Sequence, residues 1–119
     1  MAFDHEKLDV YKLAIEFMAR ADGIVESLPR GRGYLGDQLQ RAALSIVLNI
    51  AEGAGKYSPA DKGAFYARAR GSVTESAAVL DVCVKLELVV EPVVDENKQL
   101  LERLSQMLTK LIKAHRHEE

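Results

Sequence analysis

Four polar residues on one helical stripe are the strongest chemical signal in the chain. Arg41, Ser45, Asn49 and Glu52 occur at spacings of four, four and three within QLQRAALSIVLNIAEGAG, residues 38–55, so an α-helix places them on one narrow line. A guanidinium, a hydroxyl, an amide and a carboxylate are the groups of a hydrogen-bonded seam or an acid–base site. No nucleophile–base pair accompanies them, and His5, His115 and His117 all lie near the termini, so the residues predict no catalytic group. Between the four polar positions nearly every residue is apolar, including Leu39, Leu44, Ile46, Val47, Leu48 and Ile50. An ordinary surface helix is polar on its wider face. This one reverses that pattern and is expected to be buried on most sides, with Gln38 extending its polar stripe.

The elements that position the stripe are four helical segments. The first is predicted from about Asp4 to Leu28, with Leu8, Tyr11, Ile15, Met18, Ala21 and Val25 as its apolar stripe, and Pro29, Gly31 and Gly33 ending it. The second runs from about Tyr34 to Ala54. The third opens with Ser58 as N-cap, Pro59 at the first helical position and Asp61 in the first turn, and continues to about Leu88. The fourth starts at Glu91-Pro92 and carries Leu101, Leu104, Leu108, Leu111 and Ile112 to near His115. Val89-Val90 and Val93-Val94 are read as a buried helix-to-helix connection, because a lone strand would have no partner for its backbone groups. Short connections between long helices predict a single all-α domain over residues 1–119, an antiparallel up-down-up-down four-helix bundle.

In an antiparallel hairpin of the second and third helices, turning near Tyr57, Arg41 faces Glu75, Ser45 faces Ser72, and Asn49 faces Arg68. Arg68, Ser72 and Glu75 share a helix stripe of their own. Gly71 is expected where the two helices approach closely. The expected Arg41–Glu75 pair is buried, and its value lies in register or partner orientation, since desolvation offsets much of the attraction.

Of 119 residues, 48% are hydrophobic and 29% charged, which supports a folded chain. The one cysteine, Cys83, excludes an internal disulfide and a multi-cysteine zinc site, and its apolar neighbours predict burial. His115-x-His117 does not make a specific metal site, because residues two apart on a helix do not share a face. No cofactor motif is present, neither a P-loop nor a dinucleotide fingerprint. No run is long enough to span a bilayer and the N-terminus has no signal-peptide core, so a cytoplasmic protein is expected.

The formal charge is −2, unevenly distributed. Residues 30–70 hold seven basic residues (Arg30, Arg32, Arg41, Lys56, Lys62, Arg68, Arg70) against three acidic ones, a net +4, and the remainder carries nine and fifteen, a net −6. RGRGY at Arg30–Tyr34 and GKY at Gly55–Tyr57 join cations to an aromatic ring in loops, the chemistry that neutralises phosphates and stacks bases. Arg30, Arg32, Lys56, Tyr57, Lys62 and Arg70 are therefore the candidate nucleic-acid contacts.

The run QLQRAALSIVLNIAEGAGKYS, then FYARARGSVTE, with FDHEKLDVYKLAIEF at the start, resembles the bundle proteins encoded in intervening sequences of bacterial 23S ribosomal RNA genes. Gln38, Arg41, Ser45, Asn49, Ala51-Glu52-Gly53, Gly71-Ser72 and Glu75 carry the likeness, which extends from Phe3 to about Leu88. The chain also resembles the related accessory protein of diversity-generating retroelements, a basic pentameric bundle that binds nucleic acid and a reverse transcriptase. The resemblance implies a homo-oligomer, a pentamer in particular, acting as a non-enzymatic interaction or scaffold protein near RNA or a nucleic-acid enzyme. The sequence pI of about 5.9 departs from that basic relative.

Overall fold

The computed structural model describes residues 3–116. A 3-10 turn over Asp4–Lys7 precedes four α-helices: α1 (Asp9–Ser27), α2 (Gly33–Ala54), α3 (Pro59–Lys85) and α4 (Glu91–Arg116). They form an all-α four-helix bundle with extents of 47 × 28 × 21 Å. The helices pack in the ring α1–α2–α3–α4–α1, with no packing across a diagonal among the described residues. Neighbouring helices run in opposite senses. Gln38 meets Glu75 and Ser45 meets Ser72, Arg70 meets Thr109 and Asp81 meets Lys98. One end of the bundle therefore gathers the start of α1, the end of α2, the start of α3 and the end of α4.

Local chemistry sets the ends of the helices. Ser58 Oγ accepts from the Asp61 amide at 3.0 Å, with Pro59 in the first turn, as the N-cap pattern requires. The predicted first helix is broken at Leu8, whose extended backbone (φ −81°, ψ 129°) separates the 3-10 turn from α1. Leu8 packs its half-buried side chain against the core, and Glu6 Oε2 satisfies the Phe3 amide at 3.0 Å. The end of α3 comes at Lys85, one turn short of the sequence expectation. There the Glu87 amide bonds to Val84 O and the Leu88 amide to Cys83 O, with Glu87 at φ 60°. That is a Schellman stop, in which Leu88 folds back to cover the helix end. No strand forms among the described residues. The connection is less buried than expected, for Val89 is half-buried and Val90 is exposed.

Phe17, Leu39, Ile46, Ile50, Leu80, Leu101, Leu104 and Leu108 form the centre of the core. The α4 stripe is the expected one, except that Leu111 is half-buried. On α1 the buried line is Val10, Leu13, Ala14, Phe17, Ala21 and Ile24, displaced from the predicted stripe, and Ile15 faces outward. Both lines have helical spacing; the one carrying Phe17 wins because that ring buries the larger apolar area.

Candidate functional site

The polar seam exists, and its centre is Ser45. Ser72 Oγ on α3 donates to Ser45 Oγ on α2 at 2.8 Å. Asn49 Nδ2 donates to Ser45 O at 2.9 Å and to Ser45 Oγ at 3.0 Å. Ser72 also presents its carbonyl to Ser76 Oγ at 2.9 Å, and Ser76 is fully buried. The expected Ser45–Ser72 pairing is thus present. The other two pairings are not. Arg41, Arg68 and Glu75 are exposed in this chain, and no Arg41–Glu75 ion pair forms among the described residues. Glu75 instead accepts from Gln38 Nε2 at 3.5 Å. Asn49 turns back along its own helix, and the Arg68 guanidinium lies over the Phe65 ring, 4.5 Å from its centroid. Charged side chains at the edges of a helix pair reach water, so burying them would cost more than their attraction returns. Gly71 is not a point of close approach; nothing lies within 4 Å of where its Cβ would stand. Gly53 has that role, with Tyr66 and Phe65 against it.

The candidate nucleic-acid contacts divide between the two ends of the bundle. Arg30 and Arg32 precede α2, while Lys56, Tyr57 and Lys62 follow it, and 22 residues of helix separate them by about 33 Å. Arg30 is exposed, and Arg32 Nη1 donates to the Tyr34 hydroxyl at 3.2 Å. Tyr57 is fully exposed. Lys56 pairs with exposed Glu52 at 3.6 Å and lies over Phe65 at 5.0 Å, so one ring carries two cations. Lys62 is a helix cap: its Nζ donates to Ala54 O at 2.8 Å and Gly53 O at 3.5 Å, reaching carbonyls of the last turn of α2. Arg70 is half-buried between α3 and α4, donating to Thr109 Oγ1 at 3.2 Å.

Where α2 ends, an open groove of 590 Å³ runs between that helix and the 3-10 turn, lined by Phe3, His5, Leu48, Glu52 and Lys56 among others. Sequence reasoning left Phe3 and His5 with the terminus; the fold brings them beside the end of the seam. Their signal is the run of rings Phe3, His5 and Tyr11, which the structure brings together, Phe3 stacked on His5 at 5.8 Å between centroids and Tyr11 tilted against His5 at 4.6 Å. Leu48 is 53% exposed and Leu44, one turn earlier, 46%. The helix expected to be covered on most sides therefore shows two leucines to solvent along the edge of its polar line. Cys83 is buried, and burial raises its thiol pKa above the ordinary value, as befits a packed residue rather than a nucleophile. Of the His115-x-His117 pair, His117 lies outside the described residues; His115 Nδ1 donates to Leu111 O (2.7 Å) and the ring packs on Tyr66. No helix is long and apolar enough to cross a membrane among the described residues.

The fold is shared with a solved protein of the S23 ribosomal protein family from Bacteroides thetaiotaomicron VPI-5482, itself described as of unknown function. The two superpose with a TM-score of 0.82 over 87% of this chain and 98% of that one, at 21% identity. No curated protein matches the sequence. The profile of the 23S rRNA-intervening sequence proteins matches residues 6–110, the span that contains α1 to α3, most of α4, the Ser45-centred seam and both cationic loops. On that match the chain belongs to the 23S rRNA-intervening sequence protein family.

Proposed function

We propose that the protein is a non-enzymatic, cytoplasmic helical scaffold that self-associates, a pentamer being the assembly its family resemblance favours. The exposed Leu44 and Leu48 on α2 carry this reading. They lie one turn apart beside half-buried Ser45 and Asn49, which bond to each other and, through Ser45, to Ser72 of α3. Apolar side chains grouped on an otherwise charged surface mark contact sites for other proteins. Light scattering of the purified protein tests it. The expected mass is a small multiple of 13.2 kDa, and Leu44→Lys with Leu48→Lys returns a helical monomer. A wild-type mass of one chain at micromolar concentration refutes it.

Direct contact with RNA is the second reading, supported by Lys56 and Arg68 on the Phe65 ring with exposed Tyr57 nearby. Anisotropy of labelled RNA across a salt series tests it. Each phosphate left without its cation by Lys56→Ala, Arg68→Ala or Arg30→Ala lowers the slope of log affinity against log salt by about 0.7–0.9. Absence of binding at low salt, with single-stranded and structured RNA both tried, leaves the protein scaffold alone.

A further inference from the structure

The four helices are not held equally. α3 bonds to α2 through Ser72 and Ser45 and through Gln38 and Glu75, and to α4 through Arg70 and Thr109 and through Lys98 and Asp81. Side chains of α1 bond to another helix once among the described residues, where Arg20 Nη1 meets Glu96 Oε1 of α4 at 2.7 Å. Those two side chains are 37% and 63% exposed, and exposed ion pairs contribute little. α1 also buries less than α4. It supplies Val10, Leu13, Phe17 and Ile24, its other buried positions being Ala14 and Ala21, whereas α4 supplies Val94 and five leucine or isoleucine side chains. Grooves open both ends of the α1–α4 contact. One of 410 Å³ lies between Gly23 and Ser27 of α1 and Val93 and Glu96 of α4, and one of 270 Å³ lies between Asp9 of α1 and Met107 and Lys110 of α4.

Asn97 follows Glu96 and lines the larger groove. It stands on the buried stripe of α4 and is 4% exposed. Its Nδ2 donates to Val93 O of its own helix at 2.8 Å. Its Oδ1 is shut off from solvent and has no donor among the described residues. A dry acceptor without a donor costs free energy that contact with water would return. The closed bundle carries that cost, and a bundle whose α1–α4 contact has opened to water does not. The chain also holds a turn about which α1 can swing. At residues 29–32 the Arg32 amide bonds to Pro29 O at 3.2 Å, and the backbone bends at Gly31, φ 92°.

We propose that α1 is a releasable helix. It leaves the bundle as a unit, about the turn at residues 29–32, while α2, α3 and α4 stay packed, and the unpaired Asn97 acceptor lowers the cost of that step. Segments with few ties and less buried apolar area open first, as cooperative units with their own free energy. Release uncovers the apolar stripes of α2 and α4, which the closed bundle hides. The device is separate from the exposed leucines of α2 and does not depend on the scaffold reading.

Hydrogen exchange of individual amides in the native protein, across a series of low urea concentrations, tests it. Amides of residues 13–24 are expected to exchange about tenfold or more faster than the slowest amides of α3, with a smaller urea slope because less surface is exposed. Asn97→Leu removes the acceptor and slows exchange in residues 13–24 about tenfold. Asn97→Asp, close in shape, acts the other way at pH 7. A buried carboxylate favours the wet, released state, so the same amides exchange about tenfold or more faster than in wild type. A single free energy and a single urea slope, shared by residues 13–24 and the slowest amides of α3, overturn the release. Exchange in residues 13–24 that ignores both changes at position 97 overturns the part given to Asn97. Where leucine is too large for the site and Asn97→Leu does not fold, the comparison of Asn97→Asp with wild type decides that part.

Discussion

Gly53→Ala should destabilise the bundle although alanine is the better helix former. The new Cβ would stand 2.9 Å from Tyr66 Cε1, 3.1 Å from Tyr66 Cδ1 and 3.1 Å from Phe65 Cβ, where carbon atoms prefer about 3.5–4.0 Å. None of the three atoms can give way easily. Tyr66 is 3% exposed and packs on His115, and the Phe65 Cβ is fixed to the α3 backbone. The end of α2 must therefore move, which also loosens the hold of Lys62 on Ala54 O. Overpacking of this kind costs about 1–3 kcal/mol. The propensity gain is at most about 1 kcal/mol, and less here because Gly53 is in the last turn. The expected net loss is about 1–2 kcal/mol. Gly71→Ala is the matched control. It lies in mid-helix with nothing within 4 Å, so it should gain about 0.5–1 kcal/mol. Urea denaturation followed by circular dichroism measures both at two protein concentrations, so that self-association is separated from folding. A Gly53→Ala protein as stable as wild type, or a Gly71→Ala protein that loses as much, would refute this account of the α2–α3 packing.

Three further outcomes follow from individual side chains. Lys62→Met should lower stability by about 0.5–1.5 kcal/mol through the missing carbonyl cap, and leave the salt slope of any RNA binding unchanged; denaturation and anisotropy on the same variant check both. Glu87→Gly should raise stability by about 0.5–1 kcal/mol in urea, since a residue with a side chain holds φ 60° at a cost that glycine avoids. Burial raises the pKa of both Cys83 and Tyr66 above their ordinary values of 9.0 and 10.0. Their unfolded forms lose protons first, so stability is full below those values and falls as pH rises beyond them. Denaturation midpoints across alkaline pH should show that fall, and Cys83→Val should remove the earlier part of it.

Much of the bundle can be read from local signals because the causes are local. Ser58, Pro59 and Asp61 start α3 through bonds that span three residues. The leucines of α4 repeat with the helix period and face one way. Where two readings share one period, local pattern does not decide: Ile15 and Phe17 both belong to helical stripes, and only the volume available inside the bundle selects Phe17. The early end of α3 escaped for a related reason. Glu87 adopts the left-handed turn that glycine would have advertised, and the turn is closed by the Leu88 amide bonding to Cys83 O.

The seam and the basic region show where the limit lies. Register across the α2–α3 hairpin follows from its short turn, so Ser45 and Ser72 could be matched from their positions alone. Charge and length decide the rest. A serine pair closes a hydrogen bond across the helix contact at 2.8 Å, whereas Arg41 and Glu75 have side chains long enough to leave the contact for water. The six candidate nucleic-acid contacts are close in sequence, but sequence closeness across a helix is distance in space. The 22 residues of α2 carry the chain from one end of the bundle to the other, taking Arg30 away from Lys56, while Phe65, more than thirty residues from Arg30, comes beside Lys56 and Arg68. A cationic surface on this bundle is therefore assembled at a helix end, from the close of α2 and the opening of α3. There Lys62 is already committed to the Ala54 carbonyl and Lys56 is shared between Glu52 and the Phe65 ring, which leaves Arg68 and Tyr57 the most open groups of that end.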